Sequence, residues 1–174
     1  MKKFTILFLI AITTFLEAGV KDLESFEAEF VQVITNPNGK KLVYNGNFRA
    51  KKNNLALWNY ELPIKKIIYY YKNEVSIVEP ELEQVVVTKI DKKQNLLYIL
   101  NKAKKIKPNV YTANCCGAKY YIYMQSGKGI KKIQYKDRLG NLSVISFSNQ
   151  KVNKQIDDKI FKPNIPKHFD VMKK

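Results

Sequence analysis

Apolar and polar side chains alternate with a period of two through most of this chain, and that period points to a fold built from strands. From Gly46 to Val87 the sequence reads GNFRAKKNNLALWNYELPIKKIIYYYKNEVSIVEPELEQVVV, a succession of short aromatic and aliphatic segments broken by asparagine and proline. Upstream, Phe26, Ala28, Phe30, Gln32 and Ile34 fall on one face of a strand over 25–34, and Asn36-Pro37-Asn38-Gly39 forms a turn. Leu42, Tyr44, Gly46, Phe48 and Ala50 alternate on the next strand. Further strands are expected over 55–61, 66–72, 74–79 and 82–89, the last two as a hairpin across Pro80-Glu81. The period then changes. In QNLLYILNKAKKI, residues 94–106, Leu96, Leu100 and Ala103 share one helical face that Leu97 and Ile99 broaden, and Pro108 ends the helix. Strands resume over 119–125, 130–135 and 142–150. The expected class is α+β and β-rich: a curved antiparallel sheet with one helix packed on a face.

The first residues carry an export signature. Lys2 and Lys3 precede an apolar run from Phe4 to Leu16, and Ala18 suits the position before a cut, so residues 1–18 read as a signal peptide. The run is too short to cross ~30 Å of hydrocarbon comfortably, although an uncleaved anchor is the alternative. No cysteine follows the cut to accept a lipid. Removing this segment takes away two lysines and one glutamate, so a formal net charge of +16 becomes +15. The remaining residues, 19–174, suit a single domain with a real core.

Such a charge raises the question of nucleic acid. Arginine occurs only at Arg49 and Arg138 among 31 basic residues, and the lysines are scattered, mostly in pairs. Recognition of bases favours the planar guanidinium fork, so no nucleic-acid partner is expected. The charge is either a solvated lysine surface or an attraction towards anionic membranes and acidic partners.

Catalytic chemistry is not supported by the residues present. The sole histidine, His168, is far from the other candidate groups, and no metal-spaced cluster or nucleophile–base pair stands out. No metal, no cofactor and no enzymatic activity are therefore expected. Glu79, Glu81 and Glu83 cluster at a turn, where solvated charge is ordinary. Cys115 and Cys116 are adjacent, so a disulfide between them would need a strained ring. They read as a loop or strand end, with a vicinal or intermolecular bridge as the alternative.

Several landmarks resemble the LolA family of periplasmic lipoprotein carriers. Phe26, Phe30 and Gln32 match its opening F-x-x-x-F-x-Q pattern, and Gly46, Trp58 and Pro63 match its glycine-led strand and W-x-x-x-x-P region. Pro80, Leu82 and Gln84 match its P-x-L-x-Q turn. Asp137, Gly140 and Asn141, with Ile145 and Phe147, match D-x-x-G-N and the I-x-F strand. Phe161, Pro163, Pro166 and Asp170 match the terminal pattern. The resemblance implies an incomplete antiparallel β-barrel with a helical lid over an apolar cavity. It implies a monomeric periplasmic chaperone that takes triacylated lipoproteins from an inner-membrane LolCDE-type ABC transporter to an outer-membrane acceptor, LolB-like or the membrane itself. A sensor module that binds lipid or lipoprotein without carrying it is the alternative.

On that resemblance the cavity would be lined by Phe26, Phe30, Ile34, Trp58, Tyr60 and Ile68, with Leu96, Ile99 and Leu100 on the covering helix. Periodicity alone leaves open whether the same residues form an ordinary closed core. Many members place an arginine six residues before the tryptophan, where it latches the lid. Lys52 stands there in this chain, so a latch on Lys52 would keep the charge and lose the fork. Cleavage after Ala18 would also shorten the usual N-terminal helix to residues 19–23.

Overall fold

A computed structural model describes residues 23–90, 96–125 and 129–174. The proposed signal peptide and the residues up to Asp22 lie outside this range, as do Gln94 and Asn95. Among the described residues, twelve strands form one sheet that does not close on itself. They are β1 Ser25–Thr35, β2 Lys41–Lys51, β3 Leu55–Leu62, β4 Lys66–Tyr71, β5 Glu74–Glu79, β6 Gln84–Lys89, β7 Lys104–Lys107, β8 Val110–Cys115, β9 Ala118–Met124, β10 Ile130–Lys136, β11 Leu142–Val152 and β12 Asp170–Lys173. Their order across the sheet is β12-β6-β5-β4-β3-β2-β1-β11-β10-β9-β8-β7. Neighbours are antiparallel except β12, which runs parallel to β6. The class is β-rich, as expected, and its helical part is small: α1 spans Leu96–Asn101.

Turn chemistry sets the hairpins. Asn36 Oδ1 accepts from the Lys40 amide at 2.9 Å, and Gly39 takes a φ of 82°. Asp137 Oδ1 accepts from the amides of Leu139 and Asn141, each at 2.9 Å. Cys116 and Gly117 both have positive φ and form the two-residue turn between β8 and β9, the geometry that matches strand twist. The vicinal cysteines thus occupy a strand end and a turn, and no disulfide joins them.

The segment after α1 departs from the sequence expectation. The apolar stripe of a helix over 94–106 thins out after Ala103, where lysine fills positions 104, 105 and 107. The chain instead leaves the helix at Asn101, and Lys104–Lys107 pairs with β8 across Pro108-Asn109, with Asn109 at a φ of 57°. Pro108 therefore belongs to a hairpin turn rather than a helix stop. Strands β7, β8 and β12 go beyond what the sequence pattern predicts.

The sheet has two apolar faces. On the concave side Phe26, Ala28 and Phe30 from β1 pack with Phe48 and Ala50 from β2, Ala56 from β3, and Ile122, Ile133, Ile145 and Phe147 from β9 to β11. Leu96, Leu97, Ile99 and Leu100 of α1 complete this core. On the convex side Leu55 and Leu57 pack with Ile156 and fully buried Phe161, which the 3₁₀ turn Asp158–Phe161 presents. Pairing alternates the faces: Ala56 lies opposite Tyr70 and Leu57 opposite Tyr69.

Gly46 allows a close approach of β2 to β3. It follows a register shift between β2 and β3, and a Cβ placed on it would stand 1.9 Å from the Asn59 carbonyl oxygen. Gly46→Ala should therefore force the two strands apart and cost about 1–3 kcal/mol. Urea unfolding monitored at Trp58 measures this; an unchanged midpoint would mean that the strands separate without penalty.

Candidate functional site

The concave face is not filled. A cavity of about 170 Å³ is lined by Trp58, Tyr60, Ile68, Tyr70, Leu96 and Ile99, and across from them by Tyr120, Ile133, Tyr135 and Ile145. A second space of about 210 Å³ shares Gln32, Tyr60 and Ile68 with it and is lined further by Ile34, Tyr44, Ile64 and Lys66. Strand parity explains the lining. Trp58 and Ile68 are register partners between β3 and β4, and so are Tyr120 and Tyr135 between β9 and β10. Strands β3–β4 and β9–β10 curve towards each other and face across the hollow.

Aromatic contacts set the floor of this hollow. The Phe30 ring meets Trp58 edge-on at 5.1 Å and Tyr60 at 5.0 Å, while Phe48 lies 4.1 Å from Trp58. Phe26 packs behind them, edge-on to Phe147 at 5.4 Å. Among the positions expected at the site, Ile34, Trp58, Tyr60, Ile68, Leu96 and Ile99 border open space. Phe26, Phe30 and Leu100 lie in the packed layer beneath.

A polar thread crosses the wall. Tyr60 donates its hydroxyl to Gln32 Oε1 at 3.0 Å, and Gln32 Nε2 donates to Ser143 Oγ at 2.9 Å. These bonds satisfy an amide that is otherwise buried, which an apolar wall requires. Burial holds the phenols of Tyr60, Tyr70 and Tyr120 above the ordinary tyrosine range, and neighbouring Tyr135 adds to each. Tyr70, Tyr120, Ile133, Tyr135 and Ile145 are not among the lining residues expected from sequence. Their signal is the same period-two parity, in strand 66–72 for Tyr70 and in strands 119–125, 130–135 and 142–150 for the others.

Lys52 sits at the end of β2. Its backbone amide donates to the Glu24 carbonyl at 2.9 Å, and its ammonium meets the Glu24 carboxylate. Both side chains are largely exposed. The pair secures the chain next to Leu23, which packs into the concave core with α1. Among the described residues no group of histidine, cysteine, aspartate and glutamate is arranged to hold a metal ion.

An open, curved sheet with a hollow beneath a short helix defines a half-barrel. Sequence comparisons place it further. The family model described as "Outer membrane lipoprotein carrier protein LolA" matches residues 21–115. An outer-membrane lipoprotein carrier protein of Campylobacter jejuni is 34% identical over 173 residues, covering 99% of this chain and 100% of that protein. One from Helicobacter pylori strain P12 is 38% identical over 145 residues, 83% of this chain and 77% of that protein. The crystal structure of a LolA superfamily protein from Nitrosomonas europaea shares the fold, with a TM-score of 0.52 at 13% identity over 81% of this chain and 91% of that one. This protein belongs to the LolA family.

The buried phenols make stability fall at high pH. Once unfolded they ionise near the ordinary value of about 10, whereas the folded state resists ionisation. Their contribution is therefore fully present below pH ~10 and is lost as pH rises towards the folded values. Ultraviolet phenolate titration should show a late, steep group of tyrosines ionising together with loss of native circular dichroism. Smooth titration of all 11 tyrosines with the fold intact would contradict this assignment.

Proposed function

We propose that this protein is a periplasmic lipoprotein carrier, which shields the acyl chains of a triacylated lipoprotein in the concave hollow. The cargo would leave the inner membrane through a LolCDE-type ABC transporter and be delivered to an outer-membrane acceptor, LolB-like or the bilayer itself. The observation that carries this reading is the hollow between the two halves of an open sheet, bordered by Trp58, Tyr60, Ile68 and the Leu96–Ile99 face of α1. Membership of the LolA family and the names of the relatives support it. The chemistry supplies the need: each exposed CH₂ costs about 0.8 kcal/mol in water, so several acyl chains do not leave a membrane unaided at a useful rate.

The wall suits a temporary grip. Aromatic and aliphatic side chains take the chains, while the hydroxyls of Tyr70, Tyr120 and Tyr135 can meet ester carbonyls. The present spaces, about 170 and 210 Å³, are each below the ~300–1,000 Å³ of typical ligand sites. Cargo entry therefore moves α1 outward, its six residues being held by side-chain packing rather than by a long helix. In this reading the Lys52–Glu24 pair helps keep the closed form. Being exposed, it contributes only about 0–1 kcal/mol, a latch that yields.

The test is release. Proteoliposomes carrying a mature lipoprotein and its LolCDE-type transporter receive the purified protein and ATP, and the supernatant is assayed for a soluble complex. Wild type should yield one; Ile99→Asp and Ile68→Asp, which place a charge in the hollow, should reduce it by at least about tenfold. Circular dichroism confirms that each variant is folded. Absence of any soluble complex from wild type would overturn the carrier reading and favour a lipid- or lipoprotein-binding sensor.

A further inference from the structure

Antiparallel pairing sends the loops of this sheet to two ends of very different chemistry. The turns 36–40, 63–65, 116–117 and 137–141 lie at one end. Three of them meet there: Pro37 stands 3.4 Å from a Cβ built on Gly140, and Arg138 donates to the Cys116 carbonyl at 3.4 Å. Bulky aliphatic side chains project from this end into solvent, with Leu62 59%, Ile64 53% and Leu139 81% exposed. Leu42 and Val43 are also exposed at the start of β2. The opposite end carries the turns 52–54, 72–73 and 108–109, which read KNN, KN and PN and hold no aliphatic residue.

Cations accompany the aliphatic tips. The segments 36–41, 61–66, 115–119 and 136–141 contain seven basic residues, Lys40, Lys41, Lys65, Lys66, Lys119, Lys136 and Arg138, against the acidic Glu61 and Asp137, and of these Lys66 is paired with Glu79 at 3.3 Å. Asp137 is engaged in its own turn, bonding Asn141 and Leu139. Between these turns a groove of about 500 Å³ presents Lys119, Lys136, Tyr121 and Gln134, donors suited to a phosphate. The turn Glu81–Glu83 between β5 and β6 is acidic, despite exposed Leu82, and lies towards the β12 edge of the sheet. It marks the boundary of the basic sector.

We propose that this end docks on an anionic phospholipid bilayer, with Leu62, Ile64 and Leu139 entering the interface and the lysines meeting lipid phosphates. Separate tips on separate turns suit a fluid interface, where each inserts independently; a protein groove would call for one continuous patch. Lysine beside an aliphatic tip keeps its charge at the headgroup level while its stem covers apolar surface. The docking end is also the mouth of the hollow, because Ile64 and Lys66 line the space that leads to Tyr60 and Ile68. A chain could then pass between bilayer and hollow without crossing open water. That purpose rests on the carrier reading; the docking itself does not.

Vesicle flotation tests the surface. Vesicles of phosphatidylglycerol and phosphatidylethanolamine should carry the purified protein upward at low salt, and phosphatidylcholine vesicles should not. Leu62→Ser/Ile64→Ser/Leu139→Ser should weaken binding by roughly tenfold or more with an unchanged circular dichroism spectrum. Lys65→Glu/Lys136→Glu should weaken it and flatten its salt dependence. Ile106→Ser is the control: Ile106 is 53% exposed and stands among Lys104, Lys105 and Lys107, but on the edge strand β7. It should bind as wild type. Failure of wild type to float, equal binding of the tip variant, or an equal loss in Ile106→Ser would each overturn the proposal. The carrier reading is scored separately by Trp58 fluorescence with a triacylated lipopeptide in solution, which Leu62→Ser/Leu139→Ser, with both changes outside the hollow, should retain. Vesicle binding without lipopeptide binding would leave the docking surface standing and remove the carrier reading.

Discussion

The pairing of β1 with β11 is the constraint on which the rest of the molecule depends. Both are eleven-residue strands, and residues distant in sequence meet there, Phe30 opposite Phe147 and Ile34 opposite Ser143. This seam joins one run of hairpins, β2 to β6, to another, β7 to β10. Each run has an apolar inner face that it cannot bury alone. Bending both runs from a common seam lets the two faces approach without fusing. The hollow is what remains between them, and α1 covers part of it. A seam with such separation in sequence also carries a loop-closure cost, which local hairpins on either side help to offset.

A hollow lined only by aliphatic side chains would tend to collapse, since packing to high density is the ordinary outcome for apolar surfaces. Two features oppose collapse here. Large rings are fixed by one another, Trp58 between Phe30 and Phe48 and Tyr120 against Tyr135, so they cannot easily swing inward. The Tyr60–Gln32–Ser143 thread then ties β3 to β1 and β11 beneath the space. Breaking that thread would strand a buried amide, so the wall is held by an electrostatic penalty as well as by packing. The convex face supplies the counterweight, with Phe161 buried against Leu55 and Leu57.

Period-two alternation makes much of the sheet legible in advance. Phe26, Ala28, Phe30 and Gln32 are buried on one face of β1, and Phe48 and Ala50 on the matching face of β2, because side-chain direction in a strand follows directly from sequence parity. Parity is silent about depth. It places Phe30 and Trp58 on the same face, yet one lies in the floor and the other borders open space, and curvature decides which. It also fails where the segment is too polar to show a period. Lys104–Lys107 has a single aliphatic residue, and its strand exists because β8 supplies a partner across Pro108-Asn109. β12 likewise depends on β6, a parallel pairing that no local signal announces. Tyr120 and Tyr135 carry the correct parity but fall between the landmarks of the family resemblance, and only the meeting of the two halves makes them part of the wall.

The same parity leaves the two ends of the sheet free to differ, since a turn needs only the right backbone geometry and a polar or small residue at its bends. At the 52–54 and 108–109 turns the residues are those that serve this purpose, asparagine in the left-handed region at Asn53, Asn54 and Asn109, while at 72–73 Lys72 takes that conformation. At the other end the turn geometry of 36–40, 116–117 and 137–141 is met just as well by Gly39, Gly117 and Gly140, so Leu139 is not needed to make its turn. Exposed aliphatic residues at such tips bring no folding benefit and carry a solubility cost, which the surrounding lysines reduce. A side chain kept where the fold gains nothing from it is best explained by what it touches outside the fold. The end that bears these side chains is also the end at which the hollow opens, through Ile64 and Lys66.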